Sequence, residues 1–168
     1  MYRKAIMLML ILVGYLIQST MIRVLPMGGV APNFLIILTS CFGFMRGKKD
    51  GMFIGFVSGL IIDILFGGLI GFYALVYMLI GYTNGFFASI FYPEDIKLPV
   101  VLITSSELVY CFVIYVFRFL IQGKLRFGYY MLHIILPEIV YTIFVTIIIY
   151  KVILNINEWL EDMERRNA

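Results

Sequence analysis

The chain has 168 residues, of which 62% are hydrophobic and only 14% charged, with a net charge of +3. A soluble domain is nearer half apolar and a quarter charged, so this composition excludes a soluble enzyme and implies one membrane domain. Lysines and arginines are not clustered on one water-facing patch, which excludes a nucleic-acid-binding surface. Cys41 and Cys111 both fall in apolar stretches, where they read as buried apolar filler rather than a disulfide framework or a metal cluster.

The first apolar run covers residues 5–22, close to the length that crosses about 30 Å of hydrocarbon. Its charged start resembles a signal peptide, but Gln18, Ser19 and Thr20 offer no small-residue cleavage site, so it reads as the first membrane span. Pro26, Gly28 and Gly29 mark a turn. Span two covers residues 30–45 and opens on Ala31-Pro32-Asn33, where a proline is tolerated in a first helical turn and Asn33 is suited to capping. The following loop, Arg46-Gly47-Lys48-Lys49-Asp50, is strongly basic.

Span three, residues 51–66, is the most distinctive stretch. Gly51, Gly55, Gly59, Asp63 and Gly67 recur every four residues, which places them on one helical face. Such a face lets two helix backbones approach closely, within the bundle or against a partner helix. Phe53, Phe56, Leu60 and Ile64 occupy the other faces. Sixteen residues reach only about 24 Å, so the span is short, begins inside the basic loop or thins the bilayer. Span four, residues 69–92, carries Gly81 and Gly85 at the same spacing, with Asn84 beside them.

Pro93-Glu94-Asp95 breaks the apolar pattern. Span five, residues 98–121, contains Glu107 and Arg118. Span six, residues 129–153, contains His133 and Pro137-Glu138, where the proline removes a backbone hydrogen bond and kinks the helix. Residues 154–168 place Ile156, Trp159, Leu160 and Met163 at helical spacing, which predicts a short cytoplasmic amphipathic helix. The expected architecture is all-α: a compact bundle of six transmembrane helices over residues 1–153, followed by that tail. With the N-terminus inside, nine basic residues fall inside and four outside, which places both termini in the cytoplasm.

Catalytic patterns are absent from the sequence: it has one histidine, no GxxxxGK[ST] loop, no GxGxxG after a strand and no GxSxG elbow. This implies no enzyme, no cofactor and no metal site. The candidate intramembrane polar sites are Asp63, Asn84, Glu107, Arg118 and Glu138. An acid in an apolar helix costs roughly 2.5–3.5 kcal/mol at mid-membrane, so such groups face protein or water. Asp63 and Arg118 both fall near outer helix ends, which predicts Asp63 paired to Arg118 or held by polar neighbours such as Asn84. Glu107 and Glu138 both fall near mid-depth, where they either bind a cation or proton or bond neighbouring helices.

The run Gly55-Phe56-Val57-Ser58-Gly59-Leu60-Ile61-Ile62-Asp63, followed by Gly67, Gly71-Phe72-Tyr73-Ala74-Leu75 and Gly81-Tyr82, resembles the rod shape-determining MreD family. The proline-led second span matches at Pro32 and Asn33, where the family more often carries Asp in the second position. The resemblance implies a non-enzymatic subunit of the bacterial cell-elongation machinery in the cytoplasmic membrane. Its implied partners are the bitopic protein MreC and, in the wider complex, MreB filaments, a RodA-type glycosyltransferase and its transpeptidase partner, with membrane lipids around it. The family is also similar in architecture to the substrate-binding subunits of energy-coupling-factor vitamin transporters, which makes a small-molecule transport subunit the alternative.

Overall fold

The structure, a computed structural model, describes residues 2–24, 30–66, 70–117 and 127–166, and every regular element among them is helical. Helix α1 spans Tyr2–Val24, α2 Phe34–Arg46, α3 Lys48–Phe66 and α4 Phe72–Asn84, the last prolonged by a 3-10 segment, Gly85–Ile90. Helix α5 spans Lys97–Tyr115. A single turn, α6 (Phe127–Tyr130), then leads through a π-helical segment, Met131–Ile135, into α7, Leu136–Arg166. Four helical stretches are long and apolar enough to cross a membrane: Arg3–Val24, Phe72–Ile90, Lys97–Tyr115 and Gly128–Arg166.

Helix α2 is the axis of the fold. It is apolar on every side, and every residue from Phe34 to Phe44 is buried. A helix apolar all round is buried among others, and α2 packs on α1, α3, α4, α5 and α7. Its 13 residues span only about 20 Å. The short length is tolerable because residues 30–33, though not helical, are buried in protein. Pro32 stands one residue before the cap rather than in the first helical turn. The cap is Asn33, whose side chain accepts from the Ile36 N–H at 3.3 Å.

Helix α1 touches this axis along one stripe, Met7, Ile11 and Gly14, while Leu8, Met9, Leu12, Leu16 and Ile17 face outward. Helix α3 begins at Lys48, inside the basic loop, which gives it 19 residues and roughly 28 Å of length. Helix α7 runs 31 residues without a break, about 46 Å, more than the hydrocarbon thickness. Residues 154–166 are therefore the projecting end of the last membrane helix, not a separate tail helix. The buried face of that end carries Ile153, Asn157 and Leu160, whereas Trp159 is exposed.

Pro137 does not end the helix that contains it. The Leu136 N–H bonds Met131 O, five residues back, so the turn ahead of the proline is widened. A π-turn of this kind makes room for a ring that would clash with the carbonyl four residues earlier.

One end of the bundle is closed by charge. Arg3 of α1 bridges Asp50 of α3 at 2.6 Å and Glu164 of α7 at 2.9 Å. Arg46, at the end of α2, reaches Glu164 at 3.3 Å and also donates to the Asn157 side chain. The start of α1, the α2–α3 link and the end of α7 thus lie at the same end of the molecule.

Candidate functional site

The glycine face of α3 is filled by α4, which returns antiparallel. A Cβ on Gly51 would overlap the Gly81 main chain, one on Gly55 the Tyr77 carbonyl, and one on Gly59 the backbone of Tyr73 and Ala74. From the opposite helix, a Cβ on Gly81 would overlap Gly51, and one on Gly85 would meet the Lys48 backbone. Every one of these neighbours is backbone, so no rotamer change relieves the overlap. Gly43 joins the same seam from α2, where a Cβ would stand 2.9 Å from the Asn84 Cβ and the Gly81 oxygen. Gly67 lies outside the described residues.

Asp63 ends this seam. Helix α4 starts with main-chain N–H groups that have no helical partner, and Asp63 supplies the acceptors. Its Oδ2 accepts from Gly71 N at 3.0 Å and Ala74 N at 2.9 Å, and its Oδ1 from Tyr73 N at 3.1 Å. The carboxylate is 3% exposed, so it is a buried cap shared between two helices rather than a wet helix end. Gly71, at φ +98°, holds the left-handed conformation that turns its N–H towards the acid.

Asn84 is not a neighbour of Asp63. It lies at the far end of α4, where its Nδ2 donates to Ser106 Oγ at 2.8 Å, to Ile80 O at 2.9 Å and to Ser40 Oγ at 3.4 Å, tying α4 to α2 and α5. Arg118, the other expected partner, lies outside the described residues. The antiparallel return explains the difference: it puts Asp63 against the start of α4 and Asn84 at its finish.

A second polar centre surrounds the start of α2. Asn33 Oδ1 accepts from the Tyr77 hydroxyl at 3.0 Å as well as from Ile36 N, and its own backbone N–H donates to Thr142 Oγ1 at 3.1 Å. One buried side chain thereby joins α2, α4 and α7. Tyr110 of α5 packs edge-on against Tyr77, with ring centroids 5.4 Å apart.

Glu107 and Glu138, thirty-one positions apart, meet beside this centre. Glu107 is completely buried and Glu138 partly so. The Cys111 sulfur stands between them, 3.9 Å from Glu107 Oε1 and 3.9 Å from Glu138 Oε2. Cys111 is therefore part of a polar cluster, not apolar filler. The i, i+4 spacing of Glu107 and Cys111 on one helix was visible in the sequence. The approach of Glu138 from another helix was not. His133 is exposed and stacks on Tyr129 at 4.3 Å between centroids.

The arrangement sets one thiol, Cys111, between two acids. Its polar residues chiefly join helices: Asp63 joins α3 to α4, Asn84 joins α4 to α2 and α5, and Asn33 joins α2 to α4 and α7. A glycine hairpin closed by a buried acid, wrapped with other helices around a proline-led central helix, is the part of the molecule that carries the family resemblance. No curated protein and no solved structure matches the chain. A family model described as rod shape-determining protein MreD matches residues 1–156, nearly the whole length, and the chain belongs to that family of shape-determining membrane proteins.

Proposed function

We propose that this chain is a non-enzymatic membrane subunit of the bacterial cell-elongation complex. It binds a bitopic partner of the MreC type and helps position side-wall peptidoglycan synthesis. The family match over residues 1–156 carries the reading. In the wider complex the chain works beside an MreB-type filament, a RodA-type glycosyltransferase and its transpeptidase partner. It lies in the cytoplasmic membrane with both termini in the cytoplasm, and α2 and α3 add two crossings to the four long helices, in an architecture similar to vitamin-transporter substrate-binding subunits.

The glycine face is used up within the chain, so a partner helix meets one of the outward apolar faces. Helix α1, which buries only one stripe, and the outward side of α5, with Val101, Leu108 and Phe112, are the surfaces left for it. Affinity purification of the tagged chain from native membranes tests the reading. Recovery of a bitopic MreC-like protein is the expected result. Recovery of an ATPase module in its place overturns the reading in favour of a transport subunit.

A further inference from the structure

Glu107, Cys111 and Glu138 present an unbalanced set of donors. A carboxylate oxygen of each acid and the cysteine sulfur all lie within 4.8 Å of one another. Glu107 Oε2 is buried and has no hydrogen-bond partner, although it belongs to the carboxylate that faces the other two groups. Among the described residues no Lys, Arg or His forms an ion pair with either acid; the ion pairs lie at the Arg3–Arg46 end. The Thr39 and Ser58 hydroxyls are also unpaired, but a neutral hydroxyl left so costs far less than a carboxylate. Two acids in a membrane interior need positive charge between them, as protons or as a metal ion.

Glu107 and Glu138 also stand within hydrogen-bond reach of each other, so a shared proton is the competing occupant. The sulfur favours a metal ion, because a shared proton gives no role to a thiol set equally far from both acids. A tetrahedral zinc-class ion, with metal–sulfur near 2.3 Å and metal–oxygen near 2.1 Å, sets sulfur and oxygen roughly 3.6 Å apart. The 3.9 Å separations here are within a few tenths of an ångström of that. Magnesium and calcium prefer all-oxygen shells of six or more ligands, so a set with one sulfur and two oxygens favours a softer ion. The surroundings supply an outer layer. Asn33 neighbours Glu107, and because its Oδ1 already accepts from Tyr77 and Ile36, its amide N–H groups are the ones free to steady the carboxylate.

We propose that Glu107, Cys111 and Glu138 form a buried site for one divalent cation of the zinc class, with water in the fourth position, which pins α5 to the start of α7. The site is independent of which partner the protein binds. The cation joins two helices close to the π-helical turn at Met131–Ile135, which leads into α7.

The test uses the full chain purified in detergent without chelator, with metal measured by elemental mass spectrometry. About one zinc-class ion per chain is expected, falling below about a tenth in Cys111→Ser and in Glu138→Gln. Cys41→Ser, a buried cysteine away from the cluster, keeps the ion. Cobalt(II) added to chelator-stripped protein is expected to give a thiolate-to-metal absorption band in wild type and Cys41→Ser, and none in Cys111→Ser. Because a variant can fail to fold, wild type alone supplies a second measurement: added Zn2+ raises the melting temperature of the stripped protein. Wild type that neither retains nor takes up metal, and melts at the same temperature with Zn2+, overturns the site and leaves shared protons. Full metal content in both Cys111→Ser and Glu138→Gln overturns it equally.

Discussion

Asp63 accepts from three main-chain N–H groups at once, so its substitutions separate by how many donors they strand. Alanine strands all three in a buried place. Loss of a capping acceptor costs typically about 1 kcal/mol, and each buried unpaired donor adds to this, so Asp63→Ala is expected to destabilise by about 2–3 kcal/mol. Asparagine keeps one acceptor oxygen but loses the charge that favours a helix N-terminus, and is expected to cost about half as much. Thermal melting in detergent measures the order. Equal melting temperatures for wild type and Asp63→Ala would show that water replaces the acid, contrary to its burial. Gly71→Ala adds the separate cost of a left-handed backbone at φ +98°, about 1 kcal/mol, although open space surrounds its Cβ direction.

At the scale of the element, the α3–α4 hairpin depends on the absence of side chains. Gly55→Ala and Gly59→Ala each place a methyl into the main chain of α4. The helices must then separate, at a cost of about 1–3 kcal/mol, and Gly55→Leu costs more. Gly128 also lies in a helix, but nothing stands within 4 Å of its Cβ direction. Gly128→Ala is accordingly expected to be neutral or stabilising by about 0.5 kcal/mol. Membrane expression level and melting temperature read the contrast. Equal behaviour of Gly55→Leu, Gly59→Leu and Gly128→Ala would place the seam against lipid instead of α4.

At the scale of the whole molecule, the Arg3–Asp50–Glu164–Arg46 network gathers both chain ends and the α2–α3 link at one side. Cysteines introduced as Lys49→Cys and Arg166→Cys are expected to share one labelling pattern: unreactive from outside intact cells and reactive in inverted vesicles. The native cysteines are buried and leave the background low. Opposite patterns at the two positions would contradict the helix arrangement. The network also has a pH signature. The hydrogen bond from Arg3, helped by the charge of Arg46, holds the Glu164 carboxyl below its ordinary range. A depressed carboxyl contributes to docking of the α7 end above its unfolded value near 4.5, and the contribution is lost as pH falls through the lower folded value. Protection against hydrogen exchange at the end of α7, taken relative to the intrinsic rate at each pH, is expected to be unchanged between about pH 6 and 8 and to fall below about pH 4.

Composition alone determined that the chain is a helical membrane protein, because 62% hydrophobic residues leave no water-facing surface for a soluble fold. Four-residue spacing alone determined that Gly51, Gly55, Gly59 and Asp63 share a face, since helix geometry sets that without any neighbour. What lies against the face was decided by the return of α4, because contacts between residues far apart in the chain, such as Gly51 and Gly81, depend on how the chain turns and not on local period. The same holds for Asp63, whose partners are N–H groups of the next helix: backbone donors carry no mark in a sequence, whereas Asn84 and Arg118 do. Helix α2 reads as an ordinary span, yet its burial and short length follow from being surrounded on all sides. Glu107, Cys111 and Glu138 are unremarkable on their own helices. Only the packing of α5 on α7 brings two acids to one sulfur, and in a low-dielectric interior that proximity determines the chemistry open to them.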